Sequence, residues 1–355
     1  MTKDFKLRQH EALVVVYLIL ALIFFIMVAL PVMNGTMDFQ FYSDSKTYQL
    51  EAEGNLERNA FFDIGNNTIG PVQILLLLGP QNYFLIFLFN ILLFILSIKY
   101  LSASSKFVDK KRLFLLMLLS PITFTSLMSI NKEMIAFFCV ALIIYNHSRK
   151  KIGIELALFP LTYMVRWQFT GFYIIYLLLF SKINFLKKYR FVFFIILLLG
   201  ITGILFITRD TLLERIFTRY DNDTWDEGNG TFAIVQSIQD NYGYIVAFIP
   251  KVLLLLGGMI SRYALVFDFS DAYNNFILFF QTIWNLVILY LAYKKKCLDF
   301  HNDYFYIAIV YCAIYAITPI FSTRYFYPGM LFLCYAIASA PKPQTIRTGN
   351  VKTRA

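Results

Sequence analysis

Charge is scarce in this chain. Of 355 residues only 15% are Asp, Glu, Lys or Arg, whereas 59% are hydrophobic. A soluble domain carries about 25% charged residues, so the composition excludes an ordinary water-soluble fold. Cysteine is scarce as well: Cys139, Cys297, Cys312 and Cys334 are the only four, and no pair has C-x-x-C spacing. That removes zinc-ribbon and thioredoxin-like chemistry and leaves free thiols, three within apolar runs and Cys297 after a Lys triplet. Histidine is rarer still. His10, His147 and His301 are scattered at the ends of apolar runs, an arrangement unsuited to a metal site or a triad. No HExxH, GxSxG or phosphate-loop motif occurs. The acidic segment 221–228 lacks the Gly and Glu positions of a calcium loop and reads as a solvated loop. No internal repeat is visible, and no matched pair of broken helices of the kind many transporters carry.

What the chain has is a succession of apolar runs from Ala12 to Ala338, which leaves no room for a separate soluble domain. The first run is too long for a signal-peptide core, and no small-residue cleavage site follows it, so it reads as a retained span. The net charge of +10 comes from clusters at the ends of apolar runs. That is the positive-inside pattern of a membrane protein and argues against a nucleic-acid partner. The clusters are Lys3/Lys6/Arg8, Lys106/Lys110/Lys111/Arg112, Arg149/Lys150/Lys151, Lys182/Lys187/Lys188/Arg190, Lys294/Lys295/Lys296 and the tail 341–355. Acidic or mixed segments alternate with them, notably 38–63 and 209–244.

Placing the basic clusters in the cytoplasm gives about ten spans, with both termini inside. They fall near 12–33, 81–101, 113–130, 134–148, 152–165, 168–181, 191–208, 275–293, 303–320 and 325–340. The expected fold is all-α: a polytopic integral membrane bundle forming one domain over 1–340, with outer loops at 34–68 and 209–244. Region 245–268 fits no simple crossing, because one there would put Lys294–Lys296 outside. It reads as a membrane hairpin or interfacial helix pair, with Gly257-Gly258 as the turn. The run 69–78 reads as a partial insertion. Non-helical backbone at such depth is tolerated only against protein or a watery cavity, so the two features point to an outward-facing cavity.

Several charges sit where lipid would not tolerate them. Spans four to six have roughly 14–15 residues and reach ~22 Å, short of the ~30 Å hydrocarbon core. Their outer ends carry Asn131-Lys132-Glu133 and Arg166-Trp167-Gln168. Ionisable groups at that depth usually face a cavity and mark function. Arg324 lies at the outer turn between the last two spans, and Arg262 lies in the ambiguous hairpin. Lys132, Arg166 and Arg324 recurring at one depth suit a phosphate or diphosphate group, with Arg262 as an additional candidate. Acids come from the first outer loop, where Asp44 precedes Tyr48 and follows Asp38. Asp44 and Glu133 are the candidate general bases.

In this order the features resemble membrane glycosyltransferases of the GT-C type and the related exopolysaccharide and O-antigen polymerases. Asp44 and Tyr48 look like the acid-x-x-x-aromatic pattern after their first helix, and Gly54 falls where those enzymes often have Gly. Gly70-Pro71, Asn90, and the stretch from Ser120-Pro121 to Asn131-Lys132-Glu133 follow in the same order. Arg166 stands where the polymerases often have Arg or His, and Ser322-Thr323-Arg324-Tyr325 looks like their late outer Arg-Tyr. Many GT-C enzymes have two adjacent acids and a large C-terminal extracytoplasmic domain. Here Asp44 stands between Ser43 and Ser45, and no such domain follows the last run, so the resemblance leans to the polymerases.

The resemblance implies a polymerase on the outer face of the bacterial cytoplasmic membrane. It would join polyprenyl-(di)phosphate-linked oligosaccharide units, with Lys132, Arg166 and Arg324 on the phosphates. Its partners would be that lipid-linked glycan, membrane lipids and other polysaccharide assembly proteins. It calls for no cofactor and no protein metal site, and a divalent cation stays open. Transfer of a single sugar from a polyprenyl-phosphate donor is the nearest alternative. A lipid-linked-sugar flippase or transporter is the non-enzymatic one.

Overall fold

A computed structural model describes residues 8–37, 44–55, 68–150, 158–180, 188–207, 231–268, 271–317 and 322–340. Among them the chain is helical throughout, with no strand. The helices are α1 (Gln9–Met33), α2 (Ser45–Ala52), α3 (Ile69–Leu78), α4 (Tyr83–Ser104), α5 (Lys110–Leu118), α6 (Pro121–Met128) and α7 (Lys132–Arg149). After them come α8 (Phe159–Val165), α9 (Trp167–Phe180), α10 (Arg190–Ile207), α11 (Thr231–Tyr242) and α12 (Tyr244–Gly257). A 3-10 helix, Gly258–Leu265, leads on to α13 (Tyr273–Lys294) and α14 (Asp303–Tyr315). A 3-10 turn, Thr323–Phe326, then opens α15 (Tyr327–Ser339).

Among the described residues four helices, α1, α4, α10 and α13, are long and apolar enough to cross a membrane. Their apolar side chains face outwards: Val15, Val16, Ile19, Leu20 and Ile23 are exposed on α1, and Val192, Ile196 and Leu199 on α10. In water such a surface would be a large association patch, whereas lipid is its natural solvent. The inner stripe of α1 is Tyr17, Ala21, Phe25 and Ala29, spaced one turn apart. It packs on α4 through Tyr17 on Phe94 (5.5 Å) and Phe25 on Phe87 (4.1 Å). At the centre lie α7 and α15; every residue from Tyr327 to Ala338 is buried.

Among the other expected spans, 134–148 is the unbroken 18-residue helix α7 and 168–181 is the 14-residue helix α9. The run 113–130 is two helices, α5 and α6, bent by 68° at Ser120-Pro121. Pro121 can start a helix but not continue one, and Ser120 caps the new start. Gln281 of α13 fixes this corner, accepting from the Ser120 hydroxyl (2.8 Å) and the Ile122 N–H (3.2 Å). Pro31 has a milder effect, since α1 widens into a π-helical segment, Phe25–Ala29, just ahead of it. The expected turn at Gly257-Gly258 is a passage from α-helix to 3-10 helix. The chain reverses instead at Gly243, whose φ of +85° suits glycine, and α11 packs back on α12.

Contacts between distant segments define one end of the bundle. Asp109 N–H bonds Ala338 O (3.0 Å), Ser148 bonds Ser104 O (2.8 Å), and Lys111 bonds Gln9 (3.1 Å). Arg190 bonds the carbonyls of Phe300 and His301, and pairs with Asp303, which also meets His147 at 3.0 Å. The described basic clusters therefore gather at this end. The ends of α7, α9 and α15 that carry Lys132, Arg166 and Arg324 lie at the other.

Candidate functional site

The site is built from helix starts and interruptions. Asn131 is extended (φ −153°, ψ 141°) and caps α7 by accepting the Glu133 N–H at 2.9 Å. That cap places Lys132 and Glu133 on the first turn. The strand-like link before it is held by Asn90 of α4, whose amide donates to Leu127 O (3.2 Å) and Ser129 O (2.8 Å). Ser129 also bonds Ser45 beside Asp44 (3.0 Å). Arg166 occupies the single extended residue between α8 and α9, with Gln168 on the first turn beyond it. Arg324 lies in the 3-10 turn before α15.

These segments bring the expected residues together. Arg324 grips Asp44 with both terminal guanidinium nitrogens, Nη1 to Oδ2 at 2.7 Å and Nη2 to Oδ1 at 3.2 Å. Tyr48, one helical turn beyond Asp44, donates its hydroxyl to Oδ2 at 3.1 Å. Arg166 lies 3.9 Å from Glu133 Oε1 and stacks over the Tyr325 ring at 4.0 Å. Arg324 flanks the same ring at 5.2 Å, with Tyr273 at 6.0 Å. Lys132 Nζ sits 5.3 Å over Tyr48. Lys132, Glu133, Arg166 and Gln168 are all buried.

Three cations thus face two carboxylates within one buried patch. Burial pushes the Asp44 carboxyl up, but Arg324, Lys132 and Arg166 override it and hold the group well below the usual carboxylate range. Both Asp44 oxygens are engaged, whereas Glu133 Oε2 and Gln168 Oε1 are buried without a hydrogen-bond partner among the described residues. Ser322 Oγ is in the same condition. Chemically, the cations can hold an anion, the aromatic rings offer flat apolar surface, and Glu133 presents an open proton acceptor.

Of the residues singled out by sequence, Asp44, Tyr48, Lys132, Glu133, Arg166 and Arg324 converge here, with Gln168 on the adjoining turn. Asp38 lies outside the described residues. Arg262 falls within the 3-10 helix Gly258–Leu265, and its side chain lies outside the description. Sequence reasoning passed over Tyr273 and Ser129, whose roles come from contacts far along the chain. It also passed over the His147–Asp303–Arg190 cluster at the basic end, signalled only by polar residues at span ends. Among the described residues no three His, Cys, Asp or Glu side chains are grouped to hold a metal. Comparison with protein-family models, curated proteins and solved structures gives no match for this chain.

Proposed function

We propose that this chain is a membrane glycosyltransferase that joins polyprenyl-(di)phosphate-linked oligosaccharide units into a surface polysaccharide. It crosses the bacterial cytoplasmic membrane about ten times, with both ends in the cytoplasm and the charged site on the outer side. One observation carries the reading: Lys132, Arg166 and Arg324 are held together with Asp44 and Glu133 at the bundle end opposite the basic clusters. Uncompensated cations are costly to bury, so this excess of positive charge suits an anionic ligand such as a lipid phosphate. Once bound there, a sugar phosphate has its leaving group already neutralised, and cationic stabilisation of the departing phosphate supplies much of the rate. Asp44 and Glu133 are the two acids of the site, and one of them takes the proton of the acceptor hydroxyl.

Deleting the gene and separating surface glycans on a gel tests the proposal. A polymerase deletion leaves single repeat units on the surface carrier. A normal ladder would remove the polymerase reading, and complete loss of surface units would favour a flippase.

A further inference from the structure

The two carboxylates of the site are in different states. Asp44 is saturated: Arg324 binds both its oxygens and Tyr48 adds a third bond. A carboxylate held in a bidentate guanidinium fork is a poor proton acceptor, because protonating it breaks the pair. Glu133 is the opposite case. Its Oε1 is 3.9 Å from Arg166, beyond hydrogen-bond distance, and its Oε2 is buried with no partner among the described residues. A buried polar atom left unpaired costs free energy and calls for an explanation. Gln168 Oε1 on the turn beside Arg166 and Ser322 Oγ beside Arg324 repeat the pattern. Three unpaired acceptors on the segments that carry the cations mark a place for a ligand rich in hydroxyl donors.

We infer that Glu133, with Gln168 and Ser322, forms the acceptor-sugar subsite, that Glu133 is the proton acceptor of the reaction, and that Asp44 is a positioning residue for Arg324. The inference rests on the glycosyl-transfer reading and assigns roles within it. In the step, the acceptor hydroxyl gives its proton to Glu133 Oε2 while its oxygen bonds the anomeric carbon. The bond from that carbon to the phosphate oxygen breaks, and the phosphate leaves with the electron pair, held by the cations. Glu133 then passes the proton to water. Asp44 keeps Arg324 pointing at the phosphate throughout.

The test pairs two readouts on the full chain: retention of undecaprenyl phosphate by the purified protein in detergent, and polymer made by the deletion strain carrying each variant. Glu133→Gln keeps the shape but loses the acceptor, so it retains the lipid like the wild type and loses about 10²–10⁴-fold in rate, leaving no visible polymer. Glu133→Asp restores part of the polymer. Asp44→Asn weakens lipid retention several-fold yet still makes polymer. Normal polymer from Glu133→Gln, or silence of Asp44→Asn with retention intact, overturns the assignment. Failure of the wild type itself to retain undecaprenyl phosphate counts instead against the glycosyl-transfer reading.

Discussion

At the scale of the residue, position in an apolar chain is what made the charges informative. Lys132, Glu133, Arg166 and Arg324 stood out because lipid does not tolerate them without a purpose, and they meet in one patch. Arg166 and Arg324 each use a flat guanidinium against Tyr325, and Arg324 adds a two-pronged grip on Asp44. Lysine can supply the charge but not the plane or the fork. Arg166→Ala and Arg324→Ala should therefore abolish polymer while the protein remains in the membrane, and Arg→Lys should restore only part of it. Wild-type gel ladders from Arg166→Ala would take that residue out of the site. The pairing of Asp44 also fixes a pH expectation. Its carboxyl is held below its unfolded value, so its contribution to stability is complete above about pH 4 and fades as the pH falls from there. Acidification from pH 7 to 5 should leave that contribution intact. The wild type and Asp44→Asn should then show parallel melting curves over this window, and divergence would contradict the pairing. Tyr48 was legible through the family resemblance alone; the helix over Ser45–Ala52, unforeseen in an outer loop, is what sets its hydroxyl on Asp44 one turn away. Tyr273 was not, because an aromatic residue in an apolar run says nothing of a partner some fifty positions away.

At the scale of the element, the site depends on where helices stop. Asn90 holds the link between α6 and α7 through two backbone carbonyls and so fixes the start of α7. Asn90→Leu would leave both carbonyls unpaired in a buried place, at a cost of about 1–3 kcal/mol. It should lower the melting temperature of the purified protein and reduce polymer together; an unchanged melting temperature would deny the pin. Gly70 tests the packing of α3 on α8. A Cβ there would lie 2.0 Å from the Met164 carbonyl oxygen, so Gly70→Ala must push two backbones apart. Gly171→Ala in α9 meets nothing within 4 Å and should be neutral or slightly stabilising. Equal melting temperatures for the two variants would refute the close approach. Helix existence was readable from the apolar runs, but several interruptions were not. Ser120-Pro121 sits in an apolar stretch long enough for one span, yet proline geometry and Gln281 make it a corner. Gly257-Gly258 looked like the turn of a hairpin, but glycine permits a reversal without demanding one, and the left-handed residue is Gly243.

At the scale of the whole molecule, the interior is apolar as in a soluble protein, but the exterior is apolar too. Apolar side chains of α1, α4, α10 and α13 cover the outside, while Asn90, Lys132, Glu133, Arg166, Gln281 and Asn285 are buried. The described basic clusters at one end and the charged site at the other give the bundle a direction. Reporter fusions at Asn55 and Asp223 should read outside, and fusions at Lys110, Lys187 and Lys295 inside. An outside reading at Lys295 would mean that region 245–268 crosses the membrane once, and the site would lose its placement on the outer face. Reconstitution tests the proposed joining of lipid-linked glycans most directly. The purified protein is placed in proteoliposomes with polyprenyl-diphosphate-linked oligosaccharide units, and the lipid-linked products are weighed by mass spectrometry. The expected products are glycans of two and more units on one lipid, with free polyprenyl diphosphate released in step, and neither from Arg166→Ala. Single units that cross the bilayer without growing would contradict it.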